Sequence, residues 1–571
     1  MSSAIQPFEA ACPEDYAAIG LRVGLEVHQQ LATATKLFCR CPVVKYRDDY
    51  DAEVLRHMRP TLSELGEYDP AALMEQRTRK RIFYRIHHAS ACTYEFDDNP
   101  PFRMNEEALD AALQIAQLLG SLVVDELHVA RKQCLDGSYP SGFQRSALLA
   151  LGGEAPLAHG SAAIAQVALE EDSCRKIGDR GHDRHFYTDR LGIPLVEIVS
   201  EPMACTPWQA AELGQRIRRL TRAVPAVRCG IGAARQDVNI SVAGGTRVEI
   251  KGLAQLSRLP RVVHNEAQRQ LALLRLRAAL AAAGADARCS AGRCVELTGA
   301  CGRLAHRAIR ESLAGGGAVV GAVLPGFEGL LRTFTQPDTT FAQELIERAR
   351  TIASLTDEHC VIHSDSGPEA LAAREWQQLR RRADAPPGSA LVLVWGPRED
   401  AQVAAEEILV RAREACAGVP PESRRALPGG TSAFERLLPA RNRIYPETDL
   451  PPEPVRRERI ARVAAGLPAN PLLIERQMTA AGLDALSAET LAGLRDAHAL
   501  VATLSRRGAE AARWARRAAQ ELRAGGRPGR SWRRMDGTAV AAAVEQLVDD
   551  ADGRGAALMA LRRAANRQDA D

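Results

Sequence analysis

Lysine is scarce in this chain. Of 571 residues only six are Lys (Lys36, Lys45, Lys80, Lys132, Lys176 and Lys251), and beyond Lys251 every Lys or Arg position is Arg. A Lys kept against that bias serves where a compact point charge is needed rather than a planar fork, which draws attention to Lys132 and Lys251 in the motifs below. No apolar run approaches the roughly 20 residues of a membrane helix. The N-terminal MSSAIQPFEA has no charged-then-apolar leader, so a cytoplasmic protein without a membrane span is predicted. No GxxxxGK[ST] loop occurs, and any phosphate binder must be built without a P-loop. Thirteen Cys, an odd number scattered through a chain of enzyme size, speak against a disulfide framework and for reduced thiols. A net charge of +3 excludes a global field for nucleic acid. What is present is length: 571 residues, 46% of them apolar, suffice for several domains around a sizeable core.

The most informative stretch is Gly20 to Pro42, GLRVGLEVHQQLATATKLFCRCP. Leu21, Val23, Leu25 and Val27 alternate with Arg22, Glu26 and His28, which predicts a strand with Glu26 and His28 on one face. A carboxylate and an imidazole projecting together can ligate a divalent cation or share a proton. Cys39 and Cys41 also share a face; with His88 and Cys92 they could make a structural zinc site of the Cys3His type, although this spacing is not a common finger pattern. The next segments read as a helix over Pro70–Arg81, a pair of aromatic-rich strands in IFYRIHHASACTYEFDDNPP, and a helix from Asn105 to Leu119.

The strands that follow carry charge. LHVARKQCLDG bears Arg131 and Lys132 and turns at Asp136-Gly137-Ser138, and the Ser141-Gly142-Phe143-Gln144-Arg145 loop exposes amides able to hold phosphate oxygens. Glu170 and Glu171 end one strand, Glu197 sits within a Val/Ile run, Asp237 and Asn239 alternate with Val238 and Ile240, and Glu249 precedes Lys251. One acid inside an apolar strand is usually an ion pair, because an unneutralised buried carboxylate is costly. Recurrence on separate strands of one domain points instead to convergence on a shared metal and phosphate centre.

These motifs, GLEVHQQL, KLFCRCP, SGFQRSALLA, LEEDSCRKIG, DRLGIPLVEIVSEP, RQDVNISV and VEIKGL, resemble the cradle domain shared by the B-type and E-type subunits of tRNA-dependent amidotransferases, from about Gly20 to Leu271. HQQL in place of HVQL, MRPTLSELGEYDPAAL and LDGSYPSGFQR resemble the E-type subunit, that of the archaeal-type glutamyl-tRNA(Gln) amidotransferase family. The resemblance implies that ATP phosphorylates the side-chain carboxylate of Glu misacylated on tRNA(Gln) and that ammonia displaces the phosphate. Such chemistry brings several anions together and requires Mg²⁺ and fixed donors. By resemblance the Mg²⁺ ligands are Glu26, His28, Glu170 or Glu171, and Glu197; Arg131, Lys132, Ser141 and Gln144 hold phosphates or the acyl end, with Asp237, Asn239 and Lys251 behind them. The chain carries no amidase Ser-Ser-Lys pattern and no asparaginase-like Thr/Asp/Lys signature. The family thus implies a separate asparaginase-like glutaminase, the D-type subunit, in a hetero-oligomer with an ammonia channel. A relative that binds tRNA without catalysis, or amidates another carboxylate, is the alternative.

The expected fold class is α+β: a strand-rich cradle over 1–275, an aspartyl-tRNA-synthetase-like insertion over 276–416, a return to the cradle over 417–454, and an all-helical region with a shortened basic tail over 455–571. The insertion reads HSDSGPEAL where the family pattern has HSDELP, and its Cys289, Cys294 and Cys301 lack a second ligand pair. Arg424, Arg425, Arg436, Arg441 and Arg443 are predicted tRNA or phosphate contacts. Arg506 to Arg534 holds ten Arg against two Glu, a net of about +8 with Trp514 and Trp532 interleaved, and Arg516, Arg517, Arg533 and Arg534 are predicted to face a tRNA backbone. A solvated basic helix is the alternative for that segment.

Overall fold

A computed structural model describes residues 6–230, 232–285, 291–357, 359–525 and 535–567. Cys289, Trp532, Arg533 and Arg534 lie outside the described residues. The predicted first strand forms as β1 (Arg22–Gln30) and occupies the middle of a thirteen-stranded sheet. The main path of that sheet is completed by β2 (Val129–Gln133), β3 (Phe143–Leu151), β4 (Ser161–Glu171), β5 (Pro194–Ser200), β6 (Ala234–Ser241), β7 (Val248–Leu253), β8 (Glu422–Ala426), β9 (Ser432–Leu437) and β10 (Ile444–Pro446). The spatial order is β9-β8-β7-β6-β1-β5-β4-β3-β2-β10. β1 runs antiparallel to both neighbours, β5 and β6.

Period-2 alternation divides the sheet into two faces. Val23, Leu25, Val27, Val196, Ile198, Val238, Ile240, Val248 and Ile250 are all buried in one hydrophobic core, each large side chain contributing about 1.5–3 kcal/mol over exposure. Three helices belong to that core: α1 (Glu106–Leu118), α2 (Pro207–Thr221) and α3 (Leu259–Ala282). Asn105 caps α1 by accepting from the Ala108 N–H, and α2 starts with a Thr206/Gln209 capping box and Pro207. The opposite face of the sheet carries the acids.

Segment 417–454 closes both edges of the sheet. β8 pairs parallel with β7 and antiparallel with β9, while β10 adds antiparallel to β2. Between α3 and β8 the chain builds the insertion, a four-stranded sheet of Arg293–Glu296, Ala318–Pro325, Ser389–Gly396 and Val361–His363. Two of its helices, Phe341–Ala353 and Arg398–Ala417, pack together. Insertion and cradle share one contiguous apolar core. A buried ion-pair cluster joins them: Arg269 of α3 reaches Glu344 of the insertion (2.8 Å) and Glu422 of β8 (2.7 Å). Helices from Pro471 onward form a separate apolar core around Ile474, Leu491, Leu500, Ala515 and Val540. Arg216 and Arg219 of α2 pair with Glu475 and tie that core to the cradle.

Two local predictions differ from the structure. The helix from Pro70 ends at Arg77 rather than Arg81, because Arg79 turns the chain at φ +52°. Of the aromatic-rich strand pair only Arg81–Ile86 forms; Ala52–Arg56 and Asp183–Tyr187 already flank it, so no edge remains for a second strand from its own sequence. The chain instead turns at His87–Ser90 and makes a 3-10 helix, Thr93–Phe96.

Candidate active site

The acid face is set by strand register. Glu26 lies opposite Asp237 on β6, and His28 lies opposite Glu197 on β5. Directly opposed residues share a face. Glu197 also opposes Ala168, which puts Glu170, two residues on, on the same face. Two clusters result. In the first, His28 Nε2 is 3.4 Å from Glu197 and 3.6 Å from Glu170. Lys132 Nζ donates to Glu170 at 3.0 Å and stands 3.7 Å from Glu197. In the second, single carboxylate oxygens of Glu26, Asp237 and Glu249 lie within 4.8 Å of one another. Lys251 Nζ donates to Asp237 at 2.7 Å and is 3.3 Å from Glu249, Gly252 N–H donates to Asp237 at 2.7 Å, and Asn239 Nδ2 donates to Glu26 at 2.8 Å. Every member except Lys132 and Glu170 comes from β1, β5, β6 or β7, the middle of the sheet.

Five carboxylates here face two lysines and one imidazole. Burial, then the neighbouring Glu249, Glu197 and Asp237, raises the Glu26 pKa above the usual carboxylate range. For His28 burial acts downward, but the hydrogen bond to Glu197 and the charges of Asp237 and Glu170 push the pKa up to about 9. Burial also opposes ionisation of Glu197 and Asp237, yet Lys132 and His28 hold Glu197 low and Lys251 holds Asp237 low. Burial is likewise overcome at Lys132 by Glu170 and Glu197, and at Lys251 by Asp237 and Glu249, so both lysine pKa values are raised. His28 Nδ1 and Asn239 Oδ1 are buried without a hydrogen-bond partner among the described residues. Surplus carboxylate oxygens, an imidazole and spare acceptor atoms on one face fit a hard divalent cation.

The other predicted site residues divide. Of the two adjacent acids, Glu170 joins the first cluster and Glu171 does not: its carboxylate takes the Tyr94 hydroxyl and the Arg145 N–H (3.0 Å) on the opposite side of β4. The Ser141 hydroxyl closes its own turn, donating to the Phe143 carbonyl and accepting from the Phe143 N–H. Gln144 donates to the Glu171 carbonyl (2.9 Å). Arg131 stacks on Phe143 at 5.2 Å and stands 3.9 Å from the buried Glu447. Of three further charged residues, Arg443 is predicted from sequence as a phosphate contact, while Arg235 and Glu447 are not singled out. Arg443 lowers the Glu197 pKa through its charge. Arg235 pairs with the buried Asp172, and Glu447 binds Arg145 at 2.6 Å. Arg235 was within reach of the period-2 rule, two residues before Asp237; Glu447 had no local signal.

The sulfur site forms in part. Cys39, Cys41 and Cys92 bring their Sγ atoms within 4.8 Å. His88 does not join them; it is exposed, and only its backbone N–H is engaged, by Asp51. The residue beside the thiols is Glu95, whose charge acts on Cys39 and Cys41, whose backbone acts on Cys92, and which pairs with fully buried Lys36. Cys301 is buried in the insertion core.

Among the predicted tRNA contacts, Arg424 must be corrected. It is 1% exposed, binding Glu422, the Ser432 hydroxyl (2.8 Å) and the Ser432 carbonyl (2.8 Å). The reason is register: Arg424 opposes Ile250 of the apolar face, whereas Arg425 opposes Lys251. Arg425 and Arg441 are exposed, and Arg436 pairs with Asp136 at 3.6 Å. In the tail Arg516 and Arg517 are exposed, Arg517 pairing with Glu521 (3.0 Å). Trp514 is covered by Arg513 and Arg554, and Arg506 and Arg507 pair with Glu545 and Asp549.

Residues 21–461 match the family model described as the GatB/GatE catalytic domain. The E-type subunit of the glutamyl-tRNA(Gln) amidotransferase of Methanopyrus kandleri is 41% identical over 467 residues, 80% of this chain and 72% of the relative. The same subunit from Methanocaldococcus jannaschii is 40% identical over 459 residues, 80% and 72% respectively. That of Sulfurisphaera tokodaii is 38% identical over 481 residues, covering 84% and 76%. With that match running through all ten strands of the main path of the acid-bearing sheet, the chain belongs to the GatB/GatE catalytic-domain family.

Proposed function

We propose that this chain is the transamidating subunit of a glutamyl-tRNA(Gln) amidotransferase: it activates the side-chain carboxylate of Glu on tRNA(Gln) with ATP and replaces the phosphate by ammonia. The observation that carries the reading is the pair of carboxylate clusters, each with its own lysine, on one face of the family's sheet. A protein that only binds RNA has no physical need for five converging carboxylates, which repel a polyanion.

Glu26, His28, Glu170, Glu197, Asp237 and Glu249 would hold Mg²⁺, which neutralises phosphate charge where ATP and a carboxylate must meet. Lys132 and Lys251 are the compact cations that phosphoryl oxygens would share with their present carboxylate partners, and Arg443 adds positive potential beside the first cluster. The substrate carboxylate attacks the γ-phosphorus of ATP, ADP leaves, and ammonia then attacks the acyl carbon and expels inorganic phosphate. Ammonia comes from a partner glutaminase of the D type in a cytoplasmic hetero-oligomer, since hydrolysis competes with amination of an acyl phosphate unless water is kept out. The three thiols would hold a structural zinc ion beside the sheet, away from the reaction.

The test is product formation. Purified chain with its glutaminase, glutamine, ATP and Glu-tRNA(Gln) should yield Gln-tRNA(Gln), with phosphate release dependent on that tRNA. Phosphate release driven equally well by an unrelated carboxylate, with no Gln-tRNA(Gln) formed, would overturn it.

A further inference from the structure

Beyond the acid face, planar side chains alternate along the surface. Arg228 lies over Tyr46 (5.3 Å), Arg175 lies between Tyr46 (5.5 Å) and Tyr187 (4.4 Å), and Arg85 lies between Tyr187 (5.6 Å) and Tyr50 (4.7 Å). Six groups thus form one ladder, assembled from separate parts of the chain. The two outer tyrosines are open to solvent, Tyr46 at 41% and Tyr50 at 45%. Tyr187, between the two arginines, is buried.

The ladder is physically continuous with the reaction centre. Gln30, on the same strand face as Glu26 and His28, donates to the Tyr46 hydroxyl (3.2 Å) and to Asp172 (2.6 Å). Along a strand Gln30 is about 7 Å past His28. The Arg228 N–H donates to the Gln30 carbonyl (3.0 Å), and Arg228 Nη1 is buried without a hydrogen-bond partner among the described residues. The charges are largely spent: Arg175 pairs with Asp189 (2.8 Å) and Asp48 (3.1 Å), and Arg85 with Glu53 (3.3 Å). The facing sides of these planes are taken by one another, so what the ladder offers a base is the exposed surface of Tyr46 and Tyr50 more than net charge. Unpaired bases take such surfaces, on tyrosine rings and guanidinium planes alike.

We propose that this ladder, from Arg228 and Tyr46 to Tyr50, is a stacking track for the unpaired 3′ end of an RNA, leading its terminal nucleoside to the acid face. The proposal rests on the transamidation reading and adds the surface by which the substrate's end is held.

The test uses the full chain and a 5′-fluorescent RNA tetranucleotide, ACCA, followed by anisotropy at fixed salt. Tyr46→Ala and Tyr50→Ala should each weaken binding about ten-fold, while Tyr46→Phe, which keeps the ring, should bind like the parent. An abasic strand of the same length should bind the parent at least about ten-fold more weakly. Both tyrosines are exposed, so thermal melting should report unchanged folding in the variants. Equal binding of abasic and natural strands, parent-like binding by both Ala variants, or no binding by the parent at millimolar strand would overturn the track. So would loss of glutaminase association in Tyr50→Ala with RNA binding intact, which would make the ladder a protein interface. The Glu26→Ala variant separates this proposal from the one beneath it: it should lose phosphate release and keep tetranucleotide binding. Retained phosphate release there, with the tyrosine effects intact, would sink the reaction assignment and leave the track standing.

Discussion

Two regions of this protein bury charge in quantity, and they do so differently. At the joint between cradle and insertion, Arg269, Arg348, Arg411 and Arg424 meet Glu266, Glu344, Glu407, Glu414 and Glu422. Arginine forks bind carboxylates through paired contacts, as Arg269 does to both oxygens of Glu344 (2.8 and 2.9 Å), and four positive charges face five negative ones. On the acid face five carboxylates meet three compact cations rather than guanidinium forks, two lysines and His28, whose pKa is pushed up to about 9 by its carboxylate neighbours. The joint too keeps buried atoms with no hydrogen-bond partner among the described residues, Glu266 Oε2, Glu422 Oε2 and Arg411 Nη1 and Nη2, so what separates the two regions is the kind of cation and the larger carboxylate surplus of the acid face. Composition does not separate the two cases, but the balance of charge and the kind of cation do.

The comparison can be broken at several points. The largest effect belongs to the joint: Arg269→Met leaves Glu266, Glu344 and Glu422 short of their shared cation and should cost about 3–5 kcal/mol, read by urea unfolding. A loss below about 1 kcal/mol would mean that the cluster does not close as described. Next, Glu197→Gln keeps shape but removes charge between His28 and Lys132. Phosphate release should fall about 10²–10³-fold while the fold is kept at a modest cost in melting temperature, because Lys132 and His28 lose one charged partner and retain Glu170. A variant that unfolds instead would make the acid face a structural network like the joint.

Adjacent acids sharpen the contrast further. In a thermal-shift titration Mg²⁺ should raise the midpoint of the parent, by the equivalent of about 2.7 kcal/mol at a hundred times its Kd. Glu170→Gln should lose most of that shift. Glu171→Gln should keep it while starting about 1–3 kcal/mol less stable, since Tyr94 and Arg145 lose a charged acceptor. Equal behaviour of the two variants would contradict the face assignment of β4. The smallest effect is in the tail: Arg516→Ala with Arg517→Ala should leave stability within about 0.5 kcal/mol and lower the salt dependence of tRNA binding by about one to two phosphate contacts in a filter-binding series. An unchanged salt slope would leave these arginines as solvated charge.

Much of the acid face was readable from alternation. Glu26 with His28 and Asp237 with Asn239 are two residues apart and alternate with the apolar Leu25, Val27, Val238 and Ile240, and the backbone places each pair as that pattern predicts. The choice between Glu170 and Glu171 was not readable, and neither was that between Arg424 and Arg425. In both pairs one residue faces the centre and its neighbour the interior, and which is which follows from pairing with strands far away in sequence. His88 misled because spacing supplied a ligand type without a direction, while Lys36 and Glu95, buried beside the thiols, carried no local mark. The closure of both sheet edges by residues 417–454 is a long-range fact of the same kind.

The most direct measurement is ATP-dependent phosphate release by Glu26→Ala, with the glutaminase and Glu-tRNA(Gln) present and tRNA binding measured in parallel. The cation and phosphate centre described above predicts release reduced about 10²–10³-fold with tRNA affinity unchanged. Release at the parent rate would remove Glu26 from that centre and contradict the assignment of the acid face.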